Sequence, residues 1–201
     1  MTGGPLLLSL LAGPLATRAA VIEPYADGAQ AQLIRLDGEI VNGDAQRLDY
    51  LVRRARAAHK RVEVLELNSL GGDMLEGVRL AQTVAKLRLK TVIPRAKSCA
   101  SACFFAFSAG VSRVADSGGR LGVHGVAERE GETGRAKSMT VDMARVLGGL
   151  HVPAEVVGEM VLTPPDQMRW LSTAELRRMG VETAGPEETK LAEGPGGQRA
   201  R

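Results

Sequence analysis

Ser101 stands near the start of a stretch without charge, Ser98 to Gly110. The run before it, Thr91-Val92-Ile93-Pro94, is β-like. The small and aromatic residues after it read as a buried helix that Gly110 ends. The first turn of a helix carries unpaired N–H groups and the positive end of the dipole. A hydroxyl there attacks a carbonyl carbon, and the N–H of Ala102 helps to hold the oxyanion that results. The competing reading of Ser101 is a small polar residue that caps a core helix. Cys99 and Cys103 flank it. Two cysteines at this spacing supply too few ligands for zinc, so no metal site is expected. They read either as buried free thiols or as a local disulfide that shapes the turn, although a bridge at helical i,i+4 spacing has poor geometry.

Two further features share this chemistry. Asn68-Ser69-Leu70-Gly71-Gly72-Asp73 lies between a strand and a helix, and paired glycines let a ligand approach main-chain N–H groups closely. An ordinary tight turn is the alternative. The segment lacks the Gly-Lys-Ser/Thr ending of a P-loop and the GxGxxG of a dinucleotide fold. Of three histidines, His59 falls at a basic helix end and His151 in a helix connection. His124 closes a strand, which delivers its ring to a cleft.

The elements that must position these residues alternate. Ala31 to Ile40 reads as a strand with a turn at Asp37-Gly38. A helix starts at Asn42-Gly43-Asp44, and Arg61 to Leu67 forms the next strand. Met74 to Leu87 reads as a helix with Leu75, Val78, Ala81 and Ala85 turned inward, joined by Leu80 and Val84. Thr91–Arg95, Ser112–Ala115 and Arg120–Gly125 are further strands. Ser138–Leu150, Pro153–Val161 and a capped segment from Ser172 to Met179 are further helices. Strand–helix–strand units of this kind predict right-handed parallel crossovers in one α/β domain.

A length of 201 residues, 44% hydrophobic and 24% charged, suits one domain with a real core. Only 3% of the residues are aromatic, and the net charge of +3 is scattered, which argues against a nucleic-acid surface. Residues 1–20 resemble a signal peptide: Pro5 to Ala12 is a short apolar core, and Ala16 to Ala20 offers small residues for cleavage. Export to the periplasm or outside the cell is expected. A leader that stays uncleaved would keep the protein near a membrane. Residues 127–137 are expected to form an exposed loop, and 185–201 a disordered tail.

The ordered set resembles the ClpP-type serine peptidases of the ClpP/crotonase superfold, and most of all their exported, uncharacterised relatives. Asn68-Ser69-Leu70-Gly71-Gly72 with Gly77 matches the family's Asn-Ser-Pro-Gly-Gly strand end and helix, with Leu70 in place of proline. Ala100-Ser101 and Ala109-Gly110 match the nucleophile stretch. Arg120-Leu121-Gly122-Val123-His124 matches the histidine strand, and Trp170-Leu171-Ser172 with Gly180-Val181 matches the C-terminal helix. The resemblance covers about residues 33 to 183. It implies a ClpP/crotonase-like single domain of repeated β-β-α units over residues 31–184. It also implies Ser101 as nucleophile, His124 as general base, and an oxyanion hole from Gly71, Gly72 and Ala102. For the third triad member Asp166 is the candidate and Glu159 the runner-up, with a helix N-cap as the other reading of Asp166. A Ser-His dyad works without either.

These features predict an exported serine hydrolase, a peptidase acting on peptide or protein without a cofactor. A catalytically inactive module that binds peptide or a protein partner is the alternative, and a crotonase-like acyl-CoA enzyme is a third reading. The 127–137 segment lies where Clp subunits build a ring-joining handle but does not look like an oligomer-forming helix. Rings and an ATP-driven partner are therefore not carried over, and oligomerisation stays open.

Overall fold

The computed structural model describes residues 18–26, 31–126 and 134–183. Most of the leader, the first part of the 127–137 loop and the 185–201 tail lie outside the described residues. The elements in order are β1 (Val21–Ala26), β2 (Ala31–Asp37), α1 (Asp44–Ala57), β3 (Arg61–Asn68), α2 (Met74–Leu87), β4 (Lys90–Ile93), β5 (Ser98–Ala100) and α3 (Ala102–Ser108). There follow β6 (Arg113–Ala115), β7 (Arg120–Val123), α4 (Gly134–Gly149), α5 (Ala154–Leu162), β8 (Arg169–Trp170), α6 (Thr173–Arg178) and β9 (Val181–Thr183).

One six-stranded sheet runs β1-β2-β3-β4-β6-β9, and a three-stranded sheet runs β5-β7-β8. All neighbours in the large sheet are parallel except β1 and β2. Valine and leucine at Val62, Leu65 and Leu67 of β3 are buried between its two parallel neighbours. The chain leaves the tip of β3 at Ser69 and there pairs with Cys99 of β5, which joins the large sheet to the small one. Among the described residues no helix is long and apolar enough to cross a membrane.

The structure departs from the sequence reading in four places. Ser98–Ala100 is a strand, and the helix begins only at Ala102. Ser98 to Ala100 lie between β7 on one side and Ser69 on the other, and their small side chains are all buried there. On α2 the inward residues are Glu76, Gly77, Leu80, Ala81, Val84 and Leu87, whereas Leu75 is 52% exposed. The 127–137 segment is helical from Gly134. β1, β8 and β9 are added strands with no clear local pattern, and β1 lies at a sheet edge, where Pro24 is tolerated.

At the other end, Ser172 and Glu175 form a capping box that starts α6. The Ser172 N–H and Oγ both donate to Glu175 Oε2 at 2.6 Å, and Arg169 Nη2 donates to Oε1 at 2.9 Å. The hydrogen bonds from Ser172 hold the Glu175 carboxyl below its ordinary value of 4.5, and Arg169 adds to this. A lowered carboxylate pKa stabilises the fold above the unfolded value, and that stabilisation is lost as the pH falls through the native value. Glu175→Ala is therefore expected to cost about 1–2 kcal/mol at pH 7. The difference from the parent should shrink well below pH 4.5, in denaturant melts taken at both pH values. An equal cost at both would mean that the carboxylate charge does not stabilise the cap.

Candidate active site

Ser101 occupies the turn from β5 into α3, with φ 55° and ψ −122°. A side chain in this region is strained, by about 1–3 kcal/mol. The flanks hold it there. The Ser101 N–H donates to Gly122 O at 3.2 Å, and its carbonyl accepts the Phe104 N–H at 2.9 Å. β5 pairs with β7 through Cys99↔Leu121 and Ala100↔Gly122. A sharp strand-to-helix turn of this kind lifts a serine hydroxyl out of the backbone and toward a cleft.

The disulfide alternative holds for Cys99 and Cys103, which are bridged and fully buried. The objection from helical spacing lapses because Cys99 is in a strand. The turn at Ser101 brings the two Cα atoms to 5.3 Å. The bridge thus spans Ser101 and ties β5 to the first turn of α3.

The glycine turn lies directly against Ser101. Gly71 has φ 113° and Gly72 φ 139°. A Cβ on Gly71 would come within 2.7 Å of Ser101 Cβ, and one on Gly72 within 2.2 Å of Ile40 O. Gly77 serves the same packing, since its Cβ would come within 2.5 Å of Ala102 O. Of the three expected oxyanion donors, Gly71 is already used: its N–H donates to Ser69 Oγ at 3.1 Å. The N–H groups of Gly72 and Ala102 have no acceptor among the described residues.

His124 follows β7, and its Nδ1 lies 2.6 Å from Gly125 O. With the proton on Nδ1 the ring donates to that carbonyl, and Nε2 keeps the lone pair that a general base needs. Ser101 and His124 line one cavity of about 200 Å³, whose other walls include Met74, Phe105, Met143 and Met160. No hydrogen bond joins the two side chains among the described residues. Among the described residues neither candidate acid forms a hydrogen bond or ion pair with His124. Asp166 is exposed in a turn closed by Gln167 N–H donating to Pro164 O. That turn enters β8 rather than a helix, so Asp166 is no N-cap. Glu159 Oε2 accepts from Arg169 Nε at 3.0 Å. The place behind the ring belongs to a main-chain carbonyl.

The sequence reading missed the Gly125 carbonyl and the methionine walls, because neither carries a local pattern that marks a site. Among the described residues no group of three or more His, Cys, Asp or Glu side chains is placed to hold a metal ion.

Cutting the bridge tests its part in this turn. The Cys99→Ala/Cys103→Ala double variant is expected to lose about 2 kcal/mol, the chain-entropy value for so short a loop. Fluorophosphonate labelling of Ser101 should slow with it. A drop in melting temperature with unchanged labelling would make the bridge a brace for the core alone.

No family model matches the chain, and no curated protein matches it. Among solved structures it is similar to ClpP1 from Listeria monocytogenes, with a TM-score of 0.60 and 18% identity over 77% of this chain and 92% of that one. It is also similar to a mutant of the membrane-bound stomatin-specific protease 1510-N, with a TM-score of 0.59 and 16% identity over 80% of this chain and 81% of that one. The order of elements, the parallel crossovers and these likenesses together show that the chain has the ClpP-like fold.

Proposed function

We propose that this chain is an exported serine hydrolase, a peptidase that works through an acyl-enzyme on Ser101. The observation that carries the reading is the strained turn at Ser101, set beside two N–H groups, of Gly72 and Ala102, that have no acceptor among the described residues. Such donors stabilise a developing oxyanion: the Gly72 N–H belongs to an exposed residue of the glycine turn, and the Ala102 N–H opens the first turn of α3, where helices leave donors free.

In this mechanism Ser101 Oγ attacks the substrate carbonyl and passes its proton to His124 Nε2. The carbonyl oxygen becomes an oxyanion against Gly72 and Ala102. The tetrahedral intermediate collapses, the leaving amine takes the proton from His124, and Ser101 keeps the acyl group. Water, deprotonated by His124, then releases the acid. Gly125 O holds the ring in the tautomer required, so the catalytic unit is a Ser101–His124 dyad that uses no carboxylate and no cofactor. Hydroxyl and imidazole meet once a substrate draws the loose apo geometry together. The leader-like segment and the buried disulfide support an oxidising compartment outside the cytosol.

Fluorophosphonate labelling of the chain from Val21 tests the reading. Ser101→Ala is expected to abolish labelling, and His124→Ala to slow it by about a thousandfold or more. Asp166→Asn and Glu159→Gln should stay within about tenfold of the parent. A far larger loss in either acid variant would restore a triad. An unlabelled but folded parent would overturn the hydrolase reading in favour of a module that binds peptide in the same cleft.

The cavity walls set the side chain that the enzyme accepts beside the attacked carbonyl. A space of about 200 Å³ walled by methionine and phenylalanine takes leucine or methionine and leaves a charge unpaired. Peptides with leucine or methionine there should be cut at least about tenfold faster than those with aspartate or lysine. Equal rates in a fluorogenic peptide series would exclude this cavity as the specificity pocket.

A further inference from the structure

On the reading that Gly72 serves an oxyanion hole, we propose that Glu76 is a positioning residue that sets the direction of the Gly72 N–H. Glu76 points inward from an otherwise apolar face of α2 and is 1% exposed. A carboxylate in such a place needs partners. Its Oε1 accepts the Ala45 N–H at 2.8 Å, and its Oε2 accepts Arg79 Nη1 at 3.0 Å.

Ala45 lies in the first turn of α1, where N–H groups lack intrahelical acceptors. The N-cap of α1 is Gly43, which has φ 100° and no side chain to cap with. Glu76 supplies the missing acceptor from a different helix. Just before α1, Ile40 grips the glycine turn on both sides of Gly72. The Ile40 N–H donates to Gly71 O at 2.8 Å, and Ile40 O accepts the Asp73 N–H at 2.8 Å. Asp44 Oδ2 accepts the Val41 N–H at 2.9 Å and fixes the link from Ile40 to α1. Asp73 in turn caps α2 by accepting the Glu76 N–H at 2.8 Å.

These bonds close a ring that runs from Gly72 through Asp73, Glu76, Ala45 and Val41 to Ile40 and back. The main-chain groups on either side of Gly72, Gly71 O and the Asp73 N–H, are both paired to Ile40. The N–H of Gly72 is left to face the other way, beside Ser101. The turn has no slack, because a Cβ on Gly72 would come within 2.2 Å of Ile40 O. Glu76 ties α2 to the first turn of α1 within this ring, and Arg79, its ion-pair partner, reaches Asn42 Oδ1 at the longer distance of 3.4 Å. Losing the reach of Glu76 would let Ile40 drift and rotate the Gly72 peptide.

Glu76→Gln and Glu76→Asp separate reach from charge. The amide oxygen of Gln still accepts the Ala45 N–H, whereas Asp keeps the charge but is one methylene too short. Each variant is read by its melting temperature, by peptide kcat and KM, and by two ligands. A peptide boronic acid places an oxygen in the hole, whereas a product peptide fills only the cavity. We expect Glu76→Asp to lower kcat and boronate affinity by about a hundredfold while KM and product affinity change by less than about threefold. Glu76→Gln should stay within about fivefold of the parent. The amide ¹⁵N–¹H resonance of Gly72 reads the same orientation without turnover, and should shift in the Asp variant and not in the Gln variant. Unchanged boronate affinity and an unmoved Gly72 resonance in Glu76→Asp would overturn the proposal. So would equal losses for boronate and product peptide, which would mean a general loss of the site. An unlabelled parent chain would overturn the hydrolase reading instead, and the Gly72 resonance would still decide the role of Glu76.

Discussion

A serine held at φ 55° and ψ −122° relaxes unless both of its neighbours are fixed, and much of this fold fixes them. β5 has main-chain partners on both sides, β7 through three residue pairs and Ser69 through a bridge. Its three residues and all seven of α3 are buried. The disulfide crosses the turn from the strand into the helix. Relaxing Ser101 would break hydrogen bonds inside the core, where no water replaces them. The strain is local, and the restraint is spread over two sheets and a helix.

The same packing places the two N–H groups proposed as oxyanion donors. Gly71 and Gly77 approach the first turn of α3 from two directions, one from the turn after β3 and one from within α2. A Cβ at either position would meet Ser101 or Ala102 within 2.7 Å. The glycine turn and α2 are thus docked as one piece on the helix that carries Ser101. A donor on such a piece keeps its direction through the reaction, which is what electrostatic preorganisation requires. The closing bonds join this piece to a third element, α1: Glu76 of α2 accepts the Ala45 N–H, and Asp44 accepts the Val41 N–H next to Ile40.

How far the sequence revealed this depends on where the deciding interaction lies. The ends of α2 were legible because Asp73 is a strong N-cap and the apolar spacing is regular. Its inward face was not, because hydropathy puts leucine inside and glutamate outside. Leu75 is half exposed and Glu76 buried only because Ala45 and Arg79 meet the carboxylate. Ser98-Cys99-Ala100 has no local preference that sets strand against helix, and its state comes from Ser69 and Leu121, distant in sequence. The places of Ser101, His124 and the glycine pair in the fold were legible because each adjoins the end of an element, where residue type and backbone angle are most tightly coupled. The acid was not. Arg169 takes Glu159, and a short turn points Asp166 to solvent, and nothing local in the sequence records either outcome.

On the proposed function, a carbonyl behind His124 instead of a carboxylate changes where catalysis must come from. Gly125 O fixes the tautomer as a carboxylate would, but it offers the imidazolium a dipole rather than a full charge. On the proposed mechanism the protonated histidine that forms when Ser101 attacks is therefore less stabilised, and more of the rate rests on the oxyanion. Gly72 and Ala102 act beside a largely apolar cavity, where each donor counts for more than it would in water. Their directions are fixed by the Ile40 grip on one side and by the Ser101 turn on the other. A dyad of this kind tolerates a weak partner for its histidine only while those two N–H groups stay aligned. That dependence gives a physical reason for a buried glutamate and a buried disulfide to stand on either side of one strained serine.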